Sequence, residues 1–140
     1  MEFRGKNNKI VVILGPTSSG KSAVAIKLAR KFNGEIISAD SRQIFRGMDL
    51  VTGKVTIAEQ KMAHHWLIDE VSPKTDFNVT QFKRKAEKIF VDILKRKKLP
   101  IICGGTGFWI KAVVDDLNFP KVKPNWELRE KLGKLGSREL

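Results

Sequence analysis

Apolar residues fall into four short runs separated by longer amphipathic stretches. Residues 10–14 (IVVIL) form an unbroken β-branched run, as expected of a parallel strand buried on both faces. Residues 35–38 (EIIS), 65–68 (HWLI) and 100–103 (PIIC) are the other strand candidates. Between the first two, Lys21 to Phe32 carries Ala23, Ile26, Leu28, Ala29 and Phe32 at mostly helical spacing, and Gly34 is the expected left-handed terminator. The strongest helical pattern covers Val79 to Lys97. There Phe82, Ala86, Ile89 and Ile93 step by four, three and four, and Phe90 and Leu94 widen the stripe. Asn78 and Gln81 stand where a reciprocal capping pair belongs, and residues 95–98 (KRKK) sit at the cation-favouring end of the helix. A further helix follows Gly105 through Phe108, Ile110 and Val113. Strands alternating with helices of this length predict an α/β domain with a mainly parallel sheet.

Residues 1–117 hold this core, and residues 118–125 (NFPKVKPN) read as a Pro-rich link. Trp126 to Leu135 reads as a short helix capped by Asn125 and ended by Gly136, with Ser137 opening another. A helix start so close to Leu140 suggests a fragment of a longer protein, with residues 118–140 the beginning of a helical region.

Composition narrows the partners. Lys and Arg number 27 against 15 Asp and Glu, a net charge of +12 in 140 residues. Such an excess suits a polyanion, because each neutralised phosphate releases condensed counterions. It does not by itself separate nucleic acid from a membrane surface or a phosphorylated metabolite. A single Cys excludes an internal disulfide and a Cys-rich zinc site, and points to a reducing, cytoplasmic setting. No run approaches the roughly 20 apolar residues of a membrane helix, nor does the basic N-terminus carry a signal-peptide core, so a soluble chain is expected.

The sharpest chemical signal is Gly15-Pro16-Thr17-Ser18-Ser19-Gly20-Lys21-Ser22, which satisfies G-x-x-x-x-G-K-[ST] after a strand and before a helix. Its glycines let successive backbone N–H groups converge on phosphate oxygens at the positive end of the helix. Lys21 adds a mobile charge for the terminal phosphate, and the Ser22 hydroxyl is placed to ligate Mg²⁺. The pattern leaves open whether the phosphate belongs to a nucleoside triphosphate or a diphosphate.

Asp40 follows the second strand and projects toward the same crevice, beyond the carboxyl ends of the strands. It suits a general base or a water-mediated Mg²⁺ ligand, and equally an Asx cap for the turn at Ser41. Gly104-Gly105-Thr106-Gly107 follows the fourth strand in the same sense and offers backbone N–H groups and a hydroxyl, or simply a tight turn. His64 and His65, being neighbours on a strand, point to opposite faces and are read as structural. Asp69 and Cys103 are read as structural, the 95–98 run as a solvated helix end, and Trp66, Trp109 and Trp126 as packing residues.

Taken together, GPTSSGKS, ISADSRQIFRGMDLVTGK, HHWLIDE, FNVTQFKRKA and LPIICGGTGFWIKAV resemble the tRNA dimethylallyltransferases, also called tRNA isopentenyltransferases. The resemblance runs in order from about Lys9 to about Arg129 and covers the N-terminal half of proteins about twice as long. It implies a P-loop NTPase-like three-layer fold, incomplete at its C-terminal end. It further implies transfer of a dimethylallyl group from dimethylallyl diphosphate to N6 of the adenosine 3′ of the tRNA anticodon, with Mg²⁺. By that resemblance the phosphate loop cradles a leaving diphosphate, Asp40 is the general base, and Lys21 and Thr106 belong to the catalytic set. Thr17 and Thr106 lie near the diphosphate and target nucleotide, and Asp40, Ser41, Arg42, Gln43, Thr106 and Arg129 match tRNA-contacting positions. Two other readings compete. One is a P-loop small-molecule kinase, for which the chain offers no convincing lid of arginines. The other is a non-catalytic RNA-binding fragment of the transferase.

Overall fold

The computed structural model describes residues 8–49, 53–120, 122 and 124–135. Four strands run in chain order as β1 (Val11–Leu14), β2 (Gly34–Ser38), β3 (His65–Trp66) and β4 (Leu99–Gly104). They form one sheet in the order β1-β4-β2-β3, every pairing parallel. The helices among the described residues are α1 (Lys21–Lys31), α2 (Ile57–Met62), α3 (Val79–Lys95), α4 (Gly107–Val114) and α5 (Trp126–Gly133). The expected start of a helix at Ser137 lies outside the described residues.

Strand alternation divides the core in two. Ile36, Ile101 and Cys103 face Ala25, Ile26 and Ala29 of α1. Ile37 and Ile102 face the opposite way, onto Phe82, Ala86, Phe90 and Ile93 of α3 and Trp109, Ile110 and Val113 of α4. Helices therefore cover both faces of the sheet, the three layers expected of the α/β reading. Phe82 stacks on Trp109 at 4.5 Å between centroids, welding α3 to α4. Full burial of each such large side chain stabilises the fold by about 1.5–3 kcal/mol. The capping pair at α3 is present as expected: Asn78 Oδ1 accepts from Gln81 N, and Gln81 Oε1 accepts from Asn78 N.

Several expectations are corrected. The β1 run reads as a strand buried on both faces, yet β4 alone flanks it among the described residues, and Leu14 is 58% exposed. Val11 and Ile13 pack toward α1, while Val12 and Leu14 leave the other face open. The 65–68 strand shrinks to two residues because Leu67 turns into the left-handed region (φ 62°), a bend that buries its side chain. Asn33, not Gly34, takes the left-handed conformation after α1 (φ 51°). Gly34 is required for space, since a Cβ there would lie 2.7 Å from Leu99 O. The 95–98 run is not merely solvated: Arg96 and Lys98 both bind the buried Glu35 carboxylate. Trp126 is 68% exposed and packs no core. Helix α2 was not foreseen. Its start is fixed locally by Thr56, which shares a capping box with Glu59.

Candidate functional site

Because all four strands are parallel, the loops after β1, β2 and β4 gather at one end of the sheet, and β4 lies between the other two. The loop after β1 is the phosphate motif. Ser18 (φ 63°) and Gly20 (φ 82°) adopt left-handed backbone, curling the chain before α1 begins at Lys21. Gly20 is the N-cap and brings no side chain, so the first N–H groups of α1 stay unoccupied by a cap. That is the arrangement that binds anions at a helix start. Lys21 Nζ lies 2.9 Å from Pro16 O, which keeps the ammonium folded over its own loop.

The loop after β2 faces it. Asp40 is buried, and its Oδ1 accepts from Arg42 N (3.0 Å) and Gln43 N (3.4 Å). The Asx-turn reading therefore holds for one carboxylate oxygen. The other, Oδ2, points at the β4 loop, 3.7 Å from where a Cβ on Gly105 would stand. One side chain thus caps its own turn with one oxygen, leaves the second outside that turn, and lines the crevice.

The β4 loop is stitched to the β2 loop. Ala39 N donates to Cys103 O, Thr106 N donates to Ala39 O, and Ser41 N donates to Thr106 Oγ1 at 3.0 Å. The Thr106 hydroxyl in turn donates to Ser41 Oγ at 3.3 Å. Gly104 has no alternative here, because any Cβ would meet Ala39 O at 2.1 Å. The GGTG turn is thus a latch that holds Asp40 in place, with Thr106 as its bolt.

These parts enclose a crevice of about 280 Å³ lined by Thr17, Gly20, Lys21 and Ser22 on one side and by Asp40 and Gln43 on the other. Gly53 and Glu59 form a third wall. From Lys21, Ser22 and Asp40 a narrow slot continues inward to Ser38, Cys103 and His65, with a cavity of about 10 Å³, close to the room one water needs. Sequence reasoning missed Glu59 and His65 as crevice residues. Glu59 reaches the rim only because α2 exists, and hydrogen bonds from Thr56 backbone and hydroxyl hold its carboxyl below the usual range. His65 arrives through its pairing with Ile36, a register that no local pattern encodes. Its Nδ1 is 2.8 Å from Ala63 O and so carries the proton, leaving Nε2 a buried acceptor without a protein partner. Burial lowers its pKa and keeps the ring neutral. His64 points elsewhere, edge-on to Trp66 at 4.5 Å, as expected for neighbours on a strand.

Other candidates fall outside. Arg42 is solvent-exposed and does not line the crevice. Arg129 lies on α5, its guanidinium 5.3 Å from the Trp126 ring, and does not line the crevice. Asp69 pairs with Lys54, in keeping with a structural role. Cys103 is buried, and burial pushes its thiol up to about 11.

No cluster of three or more His, Cys, Asp or Glu side chains exists among the described residues. Ser22 and Asp40 nevertheless line one crevice with hard oxygen donors only. That donor set fits Mg²⁺, which keeps most of its waters and is held largely through substrate phosphates. Among the described residues no helix is long and apolar enough to cross a membrane.

A family model described as IPP transferase matches residues 43–140. A tRNA dimethylallyltransferase from a Thermoanaerobacter species is 46% identical over 129 residues, 92% of this chain and 41% of the relative. The full-length tRNA isopentenylpyrophosphate transferase of Bacillus halodurans superimposes with a TM-score of 0.79 at 38% identity, covering 89% of this chain and 41% of that one. A eukaryotic dimethylallyltransferase captured acting on tRNA gives 0.71 at 29% identity, over 93% of this chain and 30% of that one. The chain therefore spans about two fifths of the length of the curated relatives it matches. With the family model covering most of its length and a 46% identical relative matching 92% of it, the chain belongs to the IPP transferase family.

Proposed function

We propose that this chain carries the donor site and general base of a tRNA prenyltransferase. The reaction moves a dimethylallyl group from dimethylallyl diphosphate to N6 of the adenosine 3′ of the anticodon. The carrying observation is that Asp40 lines the same crevice as the phosphate loop, with Oδ2 free of the turn that occupies Oδ1. A diphosphate seated against the N–H groups at the start of α1 places its negative charge at the positive helix end, within reach of Lys21.

The allylic C–O bond breaks and its electron pair leaves with the diphosphate. The N–H donors and Lys21 stabilise that growing charge more than they stabilise the ground state, and this difference is what accelerates the step. The N6 lone pair forms the new C–N bond, and its proton passes to Asp40 Oδ2. Ser22, with Asp40 through water, would hold Mg²⁺, which neutralises charge on the departing diphosphate. The exposed Arg42, two residues after Asp40, and the net charge of +12 suit an RNA backbone, and a base in the anticodon loop must leave its stack to reach Asp40.

The test is thermal protection by dimethylallyl diphosphate with Mg²⁺ against protection by ATP with Mg²⁺, followed by prenyl transfer to an anticodon stem-loop. Greater protection by the allylic diphosphate supports the reading. Equal or better protection by ATP favours a P-loop kinase. RNA binding without transfer restricts the chain to a binding role.

A further inference from the structure

We infer that Lys54 is a positioning residue of the crevice, a buried ammonium that fixes the wall formed by residues 53–59 against the phosphate loop. The inference rests on the diphosphate reading of that loop only for its ligand-binding consequence.

The Lys54 side chain is 5% exposed, and its three N–H donors meet three acceptors. These are Phe45 O at 2.9 Å, Asp49 Oδ1 at 2.8 Å and Asp69 Oδ1 at 2.5 Å. Burial disfavours the ammonium, but the two carboxylates outweigh it and raise its pKa. A buried, fully satisfied charge of this kind specifies one arrangement of the backbone that carries it.

The anchor is itself rigid. Asp69 stands in left-handed backbone (φ 55°), its N–H donates to Gln43 O, and Arg46 donates to the carbonyls of Asp69 (2.8 Å) and Glu70 (3.0 Å). Lys54 therefore ties the wall to a fixed post after β3.

The ammonium does not line the phosphate crevice. It borders a second cavity of about 290 Å³ shared with Asp49, Asp69 and Gln60. Its two sequence neighbours reach the phosphate side, although Val55 also borders the second cavity. Gly53 lines the crevice, and a Cβ there would stand 3.2 Å from Thr17 Cγ2, so the wall touches the phosphate loop. Val55 is buried in the slot beside Ser22 and Asp40. Gly53 O also accepts from Gln43 Nε2 at 3.1 Å, and Gln43 N donates to Asp40 Oδ1. Lys54 is thus linked to Asp40 through Gly53 and Gln43, touching neither the reacting atoms nor the phosphates.

The test uses the 140-residue chain with Lys54→Met, Lys54→Arg and Asp69→Asn. Asp49 and Asp69 are partly exposed, so losing the ammonium leaves both carboxylates solvated and the fold intact. Hydrogen exchange without ligand should be at least about tenfold faster at the amides of residues 53–59 in Lys54→Met, with α1 and α3 unchanged. Titration with inorganic pyrophosphate and Mg²⁺ should show affinity weakened about tenfold at unchanged stoichiometry, which a merely destabilised chain would not give. Lys54→Arg should recover most of that affinity, and Asp69→Asn should fall between. Unchanged exchange at the wall in Lys54→Met overturns the inference, whatever the ligand does. Wild-type chain that ignores pyrophosphate overturns the diphosphate reading instead.

Discussion

Thr106 and Ser41 lie 65 positions apart in the chain, yet Ser41 N donates to Thr106 Oγ1 at 3.0 Å and the Thr106 hydroxyl donates back to Ser41 Oγ. This reciprocal pair joins the turn after β4 to the turn after β2, and the backbone between them holds Asp40 at the crevice. Position of the carboxylate is therefore a property of two loops rather than one.

Thr106→Val keeps the side-chain shape but leaves Ser41 N without its acceptor in a partly buried place. Stability should fall by about 1–3 kcal/mol in urea denaturation. On the proposed function, prenyl transfer should fall further than the folded fraction does, because the Asp40 loop is loosened. Wild-type stability in this variant would remove the latch from the account.

Asp40→Asn retains an Oδ1 acceptor for Arg42 N and Gln43 N, so the turn and the fold should survive. A general base contributes about 10²- to 10⁴-fold, so on the proposed function transfer should drop in that range while pyrophosphate still binds. A variant with full transfer activity would sink the assignment of the base.

Glu35 sits at the opposite end of β2. Hydrogen bonds from Arg96 first, then Lys98 and Trp66, overcome burial and hold its carboxyl far below the usual range. A depressed folded-state pKa stabilises the protein above the unfolded value of 4.5, and that contribution is lost as pH falls further. Glu35→Gln should lose about 2 kcal/mol at neutral pH. Its stability should also decline less than wild type between about pH 4.5 and about pH 3. Parallel curves for the two proteins would show that this cluster is not the acid-sensitive element.

Cys103 lies beneath the crevice, and burial raises its thiol to about 11. At pH 8 a disulfide reagent should label the native chain at least tenfold more slowly than the urea-unfolded chain. Equal rates would mean that the slot opens readily to solvent.

Much of the site was legible because its signals are local. The glycines and Lys21 of the phosphate motif, the β-branched runs and the Asn78–Gln81 cap each act within a few residues, so periodicity and turn chemistry reveal them. Asp40 was legible as a candidate for the same reason, though the residues alone could not separate cap from base. The structure gives one carboxylate oxygen to the cap, leaves the other outside the turn, and sets the side chain in the crevice lining.

What stayed hidden depended on partners distant in sequence. Nothing near Glu35 announces Arg96 or Lys98, which meet it only because β2 pairs with β4. His65 enters the slot through its register with Ile36, and Lys54 becomes a clamp only when Asp69 is bent back toward it. The exposure of Leu14 follows from the place of β1 in the strand order, which an apolar run does not encode. By itself the chain determined most of the segments that become strand and helix, α2 and the length of β3 excepted, since backbone preference and apolar spacing are short-range. Tertiary structure alone decided which charges are buried together and which carboxylate oxygen is free, because burial and pairing arise only when remote segments exclude water from one another.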